Sequence, residues 1–121
     1  MGTGGAAKAV AFALEKLDIL YTFVSRENKD NSITYNRINA NTFENYDIII
    51  NTTPLGTEPN TKDFPPIPYE YFTANHIAYD LIYNPDETHF LKKAKKKGAI
   101  TKTGLEMLQI QAEKSWKIWN K

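Results

Sequence analysis

A glycine-rich turn running straight into an alanine-rich stretch is the first place in this chain where chemistry could be done. Met1-Gly2-Thr3-Gly4-Gly5-Ala6-Ala7 has the form of a loop that holds a phosphate. At a helix start the backbone N–H groups point outward and the dipole favours an anion, and glycine lets a pyrophosphate come close. Gly2, Gly4, Gly5 and Ala6 are the residues such a loop would use. Dinucleotide folds place the residue that reads the adenosine ribose about 20 positions further on. Here that region supplies Ser25 and Arg26 rather than a single acid. A guanidinium suits a 2′-phosphate by charge and by its forked donors, so the pattern favours NADP over NAD. Lys29 adds positive charge, while Glu27 either repels that phosphate or pairs with Arg26. An ordinary solvated Arg-Glu pair is the bland alternative.

Three more stretches qualify. Asn51-Thr52-Thr53-Pro54-Leu55-Gly56 offers small hydroxyl and amide side chains on a proline-fixed turn, able to hold a ribose without filling a cleft. The same residues also read as a plain Pro-Gly turn. Tyr83 ends an apolar stretch before Asn84-Pro85, so its hydroxyl either emerges at a cleft or is satisfied in a core. Gly104, Leu108 and Gln111 fall near one helical face, where a glutamine among Leu105, Leu108 and Ala112 needs a polar partner.

These residues need elements to position them. Gly4 to Leu17 reads as a helix, with Val10, Ala13, Leu14 and Leu17 at i, i+3, i+4 and i+7. Leu20 to Val24 is rich in strand formers, Glu27 to Ser32 is a polar loop, and Ile33 to Ile38 is an edge strand. Ile48-Ile49-Ile50, within a strand from Asp47 to Asn51, is expected to be covered on both faces. Thr52 to Pro68 holds five of the six prolines and must be a long connection. A short helical turn over Tyr69 to Ala74 and a strand over His76 to Tyr83 follow. A helix from about Glu87 to Lys97 is closed by Gly98, and Ile100 to Thr103 is a last strand. Gly104 to Trp119 completes the chain as a helix. The alternation predicts an α/β, Rossmann-like, doubly wound and mostly parallel sheet with helices on both faces. Ligands of such sheets bind outside the carboxyl ends of the strands, here after Val24, Ile50, Tyr83 and Thr103.

Composition narrows the classes. With 121 residues, 41% hydrophobic and 24% charged, the chain suits one domain spanning residues 1–121. Its net charge of +1 gives no global field for nucleic acid or a membrane surface. The absence of cysteine removes disulfides, thiolate metal sites and cysteine nucleophiles, and a reducing cytoplasm is the expected setting. No apolar run is long enough to span a bilayer, which takes roughly 18 residues. His76 and His89 lack metal-ligand spacing, and no metal is expected. Asp80 reads either as a catalytic acid or as a buried, hydrogen-bonded aspartate. Lys92, Lys93, Lys95, Lys96 and Lys97 lie where cations complement a helix C-terminus rather than forming a nucleic-acid patch.

Taken in order, Gly2 to Ala7, Ser25-Arg26, Asn51 to Gly56, Tyr79-Asp80-Leu81-Ile82-Tyr83-Asn84-Pro85 with Thr88, and Gly104 to Leu108 through Gln111-Ala112 resemble the C-terminal, NADP-binding domain of shikimate dehydrogenase. That family reduces 3-dehydroshikimate to shikimate with NADPH, in the route to aromatic amino acids. The resemblance implies that Gly4, Gly5 and Ala6 cradle the pyrophosphate and that Arg26 binds the 2′-phosphate. Thr52 and Thr53 would lie along the nicotinamide half, with Leu81 and Gly104 framing the nicotinamide through backbone contacts. Tyr83 and Gln111 would reach the substrate, shikimate or 3-dehydroshikimate. The family usually has Asn-Arg-Thr where this chain has Ser25-Arg26-Glu27. A quinate-using relative and a non-catalytic nucleotide-binding or interaction module are the competing readings.

The resemblance also implies absences. In the family a separate N-terminal domain supplies the catalytic lysine and aspartate, so no catalytic residue is expected in this chain and no dehydrogenase activity from it alone. The family carries an apolar strand just before the glycine loop, where this chain has Met1. In a sheet of order 3-2-1-4-5-6 that strand is central, and its loss would leave two strands with unpaired edges beside a slot. Closure of the gap, a foreign or swapped strand in it, or self-association through the edges is expected, and the start reads as a truncation.

Overall fold

The computed structural model describes residues 1–2, 4–27, 32–57, 59–82 and 87–104. Helix α1 (Gly5–Lys16) is followed by strand β1 (Phe23–Ser25) and strand β2 (Ser32–Thr34). A 3-10 turn, Tyr35–Arg37, leads to helix α2 (Ala40–Asn45) and strand β3 (Ile48–Asn51). A second 3-10 turn, Tyr69–Tyr71, precedes strand β4 (Ile77–Asp80), helix α3 (His89–Lys96) and strand β5 (Ile100–Thr103). Every strand pair is parallel, as the alternation predicts. The predicted terminal helix from Gly104 to Trp119 lies outside the described residues beyond Gly104.

The strands fall into two sheets, β1-β2 and β3-β4-β5. Met1 and Gly2 run between them. The Met1 nitrogen donates to the Ile50 carbonyl at 2.6 Å, the Thr52 N–H to the Met1 carbonyl at 3.0 Å, and the Gly2 N–H to the Val24 carbonyl at 2.8 Å. Below this crossing a cleft of about 390 Å³ separates β1 from β3, with α1 along one side. The slot expected between two unpaired edges is therefore present and open.

Helices cover both faces. On one, Val10 and Leu14 of α1 bury against Tyr79, with Ile50 and Leu81 packed alongside. On the other, Phe90, Leu91 and Ala94 of α3 bury with Phe43 of α2, Ile67, Phe72, Ala78 and Ala99. In β4, Ala78 and Asp80 alternate with Tyr79, and all three are buried, as a strand covered on both faces requires. β3 departs from the same expectation: Ile48 is 38% exposed because the cleft opens beside it.

Other differences have local causes. The strand expected from Leu20 begins only at Phe23, since its partner β2 starts at Ser32 and the cleft offers no other. The edge strand expected over Ile33 to Ile38 tightens into the 3-10 turn after Thr34. Helix α2 is not anticipated by periodicity, because six residues with one buried apolar side chain, Phe43, present no pattern. Its signal is a reciprocal cap, Asn39 accepting from the Thr42 N–H while Thr42 accepts from the Asn39 N–H. No helix among the described residues is long and apolar enough to cross a membrane.

Phe90 is fully buried, with its ring edge-on to Tyr69 and Phe72, whereas Leu20 is 92% exposed. Phe90→Ala is expected to cost about 3–5 kcal/mol and Leu20→Ala less than about 0.5 kcal/mol, read as midpoint shifts in urea unfolding.

Candidate functional site

The ends of β1, β3, β4 and β5 lie at one edge of the sheets, beside the start of α1. Gly4 is the N-cap of α1, with no side-chain cap and no acid in the first turn. The first helical N–H groups, from Gly5 to Ala7, therefore have no intrahelical acceptor. A Cβ placed on Gly4 or Gly5 would meet nothing within 4 Å, so the protein's own packing does not demand glycine there. The uncapped turn and the open space over it fit an anionic group such as a pyrophosphate. Gly2 differs. Its φ is +100°, and a Cβ would sit 2.6 Å from the Thr52 Oγ1. Gly2 is thus required for the close crossing onto the Thr52 loop, and the Thr52 hydroxyl fastens that crossing by donating to the Met1 carbonyl.

The ends of β3 and β4 are tied by a buried polar knot. Asn51 and Asp80 are both fully buried. The Asn51 amide nitrogen donates to the Asp80 carboxylate at 3.2 and 3.3 Å, and the Thr88 hydroxyl donates to it at 2.7 Å. The Ile82 N–H supplies a further donor at 3.0 Å. Burial pushes the Asp80 carboxyl up, opposed by hydrogen bonds from Thr88, Ile82 and Asn51 that hold it down. Thr88 also caps α3 by accepting from the Leu91 N–H. On the other side of Asn51, its amide oxygen accepts from the Thr53 N–H at 3.0 Å and the Thr53 hydroxyl at 2.6 Å. Of the two readings of Asp80, the buried hydrogen-bonded one matches the geometry. The Asn51 side chain is likewise turned inward and shapes the Thr53 turn.

At the end of β1, Ser25 is buried, with its hydroxyl donating to the Glu27 carbonyl and lying 3.2 Å from the Ser32 hydroxyl. Arg26 is exposed and close enough to Tyr35 to oppose the upward push that burial gives the Tyr35 hydroxyl. At the end of β4, the Leu81 N–H donates to the Asn51 carbonyl at 3.2 Å. Gly104, at φ +90°, donates to the Asp80 carbonyl at 2.8 Å and accepts from the Tyr79 hydroxyl at 3.1 Å. The structure thus gathers Gly2, Gly4, Gly5, Ala6, Ser25, Arg26, Asn51, Thr52, Thr53, Leu81 and Gly104 at neighbouring strand ends and the loop that links them. Lys29, Tyr83 and Gln111 lie outside the described residues. Sequence reasoning misses the bridging part played by the Met1 and Gly2 backbone, for which side-chain types carry no signal.

Both histidines are structural. His76 is buried, accepting from the Thr73 N–H at Nδ1 and donating from Nε2 to the Phe43 carbonyl at 2.6 Å. His89 packs its ring 6.3 Å from that of Phe64. The Lys93 ammonium lies 4.5 Å from the Phe64 ring centre, and Lys95 pairs with Glu87 at 3.7 Å. Among the described residues no group of acids and histidines is placed to hold a metal.

The chain resembles shikimate dehydrogenases over nearly its whole length. It is 42% identical to the NADP-dependent shikimate dehydrogenase of Methanococcus maripaludis, across 98% of this chain and 48% of that protein. The shikimate dehydrogenase of Aquifex aeolicus superposes with a TM-score of 0.71 at 32% identity, covering 98% of this chain and 46% of its own. A shikimate dehydrogenase in complex with NADP+ matches at 35% identity and a TM-score of 0.52, over 95% of this chain and 38% of that one. No family model matches. The chain spans about half the length of the curated relatives it matches.

The knot predicts a double effect of Asp80→Asn. An amide presents fewer acceptors to these donors, so the variant is expected to lose about 2 kcal/mol or more at pH 7. Because burial raises the folded-state pKa, native stability is full below the ordinary carboxylate range and falls as pH rises through that raised value. Chemical denaturation across pH should show this decline in the native chain and not in Asp80→Asn.

Proposed function

We propose that these 121 residues are the NADP-binding, C-terminal part of a shikimate dehydrogenase, a cytoplasmic enzyme that interconverts 3-dehydroshikimate and shikimate. The observation that carries this reading is the uncapped first turn of α1. Its open space over Gly4 and Gly5 stands beside the strand ends that the resemblance assigns to the cofactor. The 42% identity across nearly the whole chain supports the same assignment.

In this reading the N–H groups of Gly4, Gly5 and Ala6 hold the pyrophosphate, with Gly2 setting the entry of the loop. Arg26, joined by Lys29, holds the 2′-phosphate, and Ser25 fixes the turn that carries Arg26. Thr52 and Thr53 line the nicotinamide half, with Asn51 orienting Thr53 from behind. Leu81 and Gly104 frame the nicotinamide through their backbone. Tyr83 and Gln111 reach the substrate from the cofactor side. When bound, NADPH supplies the hydride that reduces the substrate's carbonyl carbon. The proton for the carbonyl oxygen comes from a general acid in the separate domain that also carries most of the substrate site.

Two measurements test this. Fluorescence titration is expected to show NADPH binding at least about tenfold tighter than NADH. Arg26→Ala should remove most of that difference, since a hydrogen-bonded charge contact is worth about 1.5–3 kcal/mol. Equal affinity for both cofactors in the native chain would count against Arg26. In a steady-state assay the chain alone should form no NADPH from shikimate, and robust turnover would show that the acid lies within it.

A further inference from the structure

The turn that follows β1 sets an acid beside a base at the place where the adenosine ribose is read. Arg26 and Glu27 are chain neighbours and both are exposed. The Ser25 hydroxyl donates to the Glu27 carbonyl two positions on, which holds Glu27 at the strand end. Its proton is spent there, so the Ser32 hydroxyl, 3.2 Å away, is the donor in the contact between the two serines. Ser25 therefore has no proton left for a phosphate, whose oxygens only accept. Among Ser25, Arg26 and Glu27, only Arg26 brings a charged donor.

Glu27 either pairs with Arg26 or stands beside it with its charge uncancelled, and the structure separates the two. No ion pair joins Glu27 to Arg26. The guanidinium lies instead close enough to Tyr35, just after β2, to act on its hydroxyl. Successive Cα atoms are about 3.8 Å apart, so a phosphate held on the Arg26 fork lies within roughly 10 Å of the Glu27 carboxylate. At that range the carboxylate and a phosphate of nearly two negative charges repel enough to weaken binding several-fold at low salt. The neighbouring sequence does not cancel this. From Arg26 to Asp30 it carries two cations, Arg26 and Lys29, and two acids, Glu27 and Asp30, for a net charge of zero. Attraction for a 2′-phosphate thus comes from the fork of Arg26 and not from a positive field.

A dinucleotide without that phosphate presents a ribose hydroxyl at the same place. The hydroxyl is neutral and can donate, so the Glu27 charge does not repel it and the Glu27 oxygens can accept from it. One carboxylate thereby moves the two cofactors in opposite directions.

We propose that Glu27 is a specificity-determining residue that works against Arg26, lowering affinity for a 2′-phosphorylated dinucleotide and sparing the unphosphorylated one. The inference deepens the proposed function and rests on its assignment of the Arg26 turn to the adenosine ribose.

The test is a fluorescence titration of NADPH and of NADH against the native chain, Glu27→Gln and Arg26→Ala. Glutamine keeps the size and removes the charge at an exposed position, and equal urea midpoints for native and Glu27→Gln chains show that the fold is unchanged. In about 0.01 M salt Glu27→Gln is expected to tighten NADPH about three- to tenfold and to change NADH less than about twofold. In about 1 M salt, where charges are screened beyond about 3 Å, the NADPH gain should vanish. An unchanged NADPH-to-NADH ratio in Glu27→Gln at low salt overturns the proposal. So does weaker NADPH binding, which would make Glu27 a support of Arg26. Failure of the underlying reading has a different signature: NADPH and NADH then bind equally, or not at all, to the native chain, and Arg26→Ala changes neither. That pattern overturns the proposal as well, since no 2′-phosphate site would be left for Glu27 to oppose.

Discussion

Three backbone hydrogen bonds at Met1 and Gly2 hold the two sheets together at their carboxyl edge. Each is worth about 0.5–1.5 kcal/mol net, so the crossing contributes a few kcal/mol, comparable with the margin by which small domains stay folded. Its consequences reach beyond stability. Gly2 begins the loop that ends in the N-cap of α1, so the same bonds set where the open helix terminus stands relative to the ends of β1 and β3. The closeness of the crossing to Thr52 excludes any side chain at Gly2. A two-residue bridge thus decides both the sheet geometry and the position of the loop.

The second organising feature is the Asn51-Asp80-Thr88 knot, one strand further along. The crossing joins β1 to β3, and the knot joins β3 to β4 and to the start of α3. A buried carboxylate is costly when isolated, and here donors from two side chains and one backbone N–H offset part of that cost. Asn51 transmits the arrangement outward to Thr53. The loop after β3 is thereby shaped by residues that need not touch a ligand themselves.

Much of this was legible in the sequence, and the rest was not for identifiable reasons. The parallel order followed from strands alternating with helices, α1 from apolar spacing, and α3 from the Gly98 that closes it. The gap beside Met1 was foreseeable from the resemblance together with the strand order of such sheets. Helix α2 escaped because its signal is a polar cap and not a period. The length of β1 escaped because a strand extends only as far as its partners, and those are chosen by tertiary structure. At the site, glycine and hydroxyl positions were readable from type and spacing. The inward turn of Asn51 was not, because an asparagine at a strand end serves a ligand or a neighbouring aspartate with the same amide.

In the proposed function the crossing sets Gly2, the start of α1 and the ends of β1 and β3 around one cofactor. Amide chemical-shift mapping during NADP+ titration tests it most directly. The largest changes are expected to fall together on Gly2, Gly4, Gly5, Ser25, Thr52 and Thr53. Changes concentrated instead on the opposite edge, around Asn45 and Asp47, or around Glu44 and Glu70 beside His76, would contradict it.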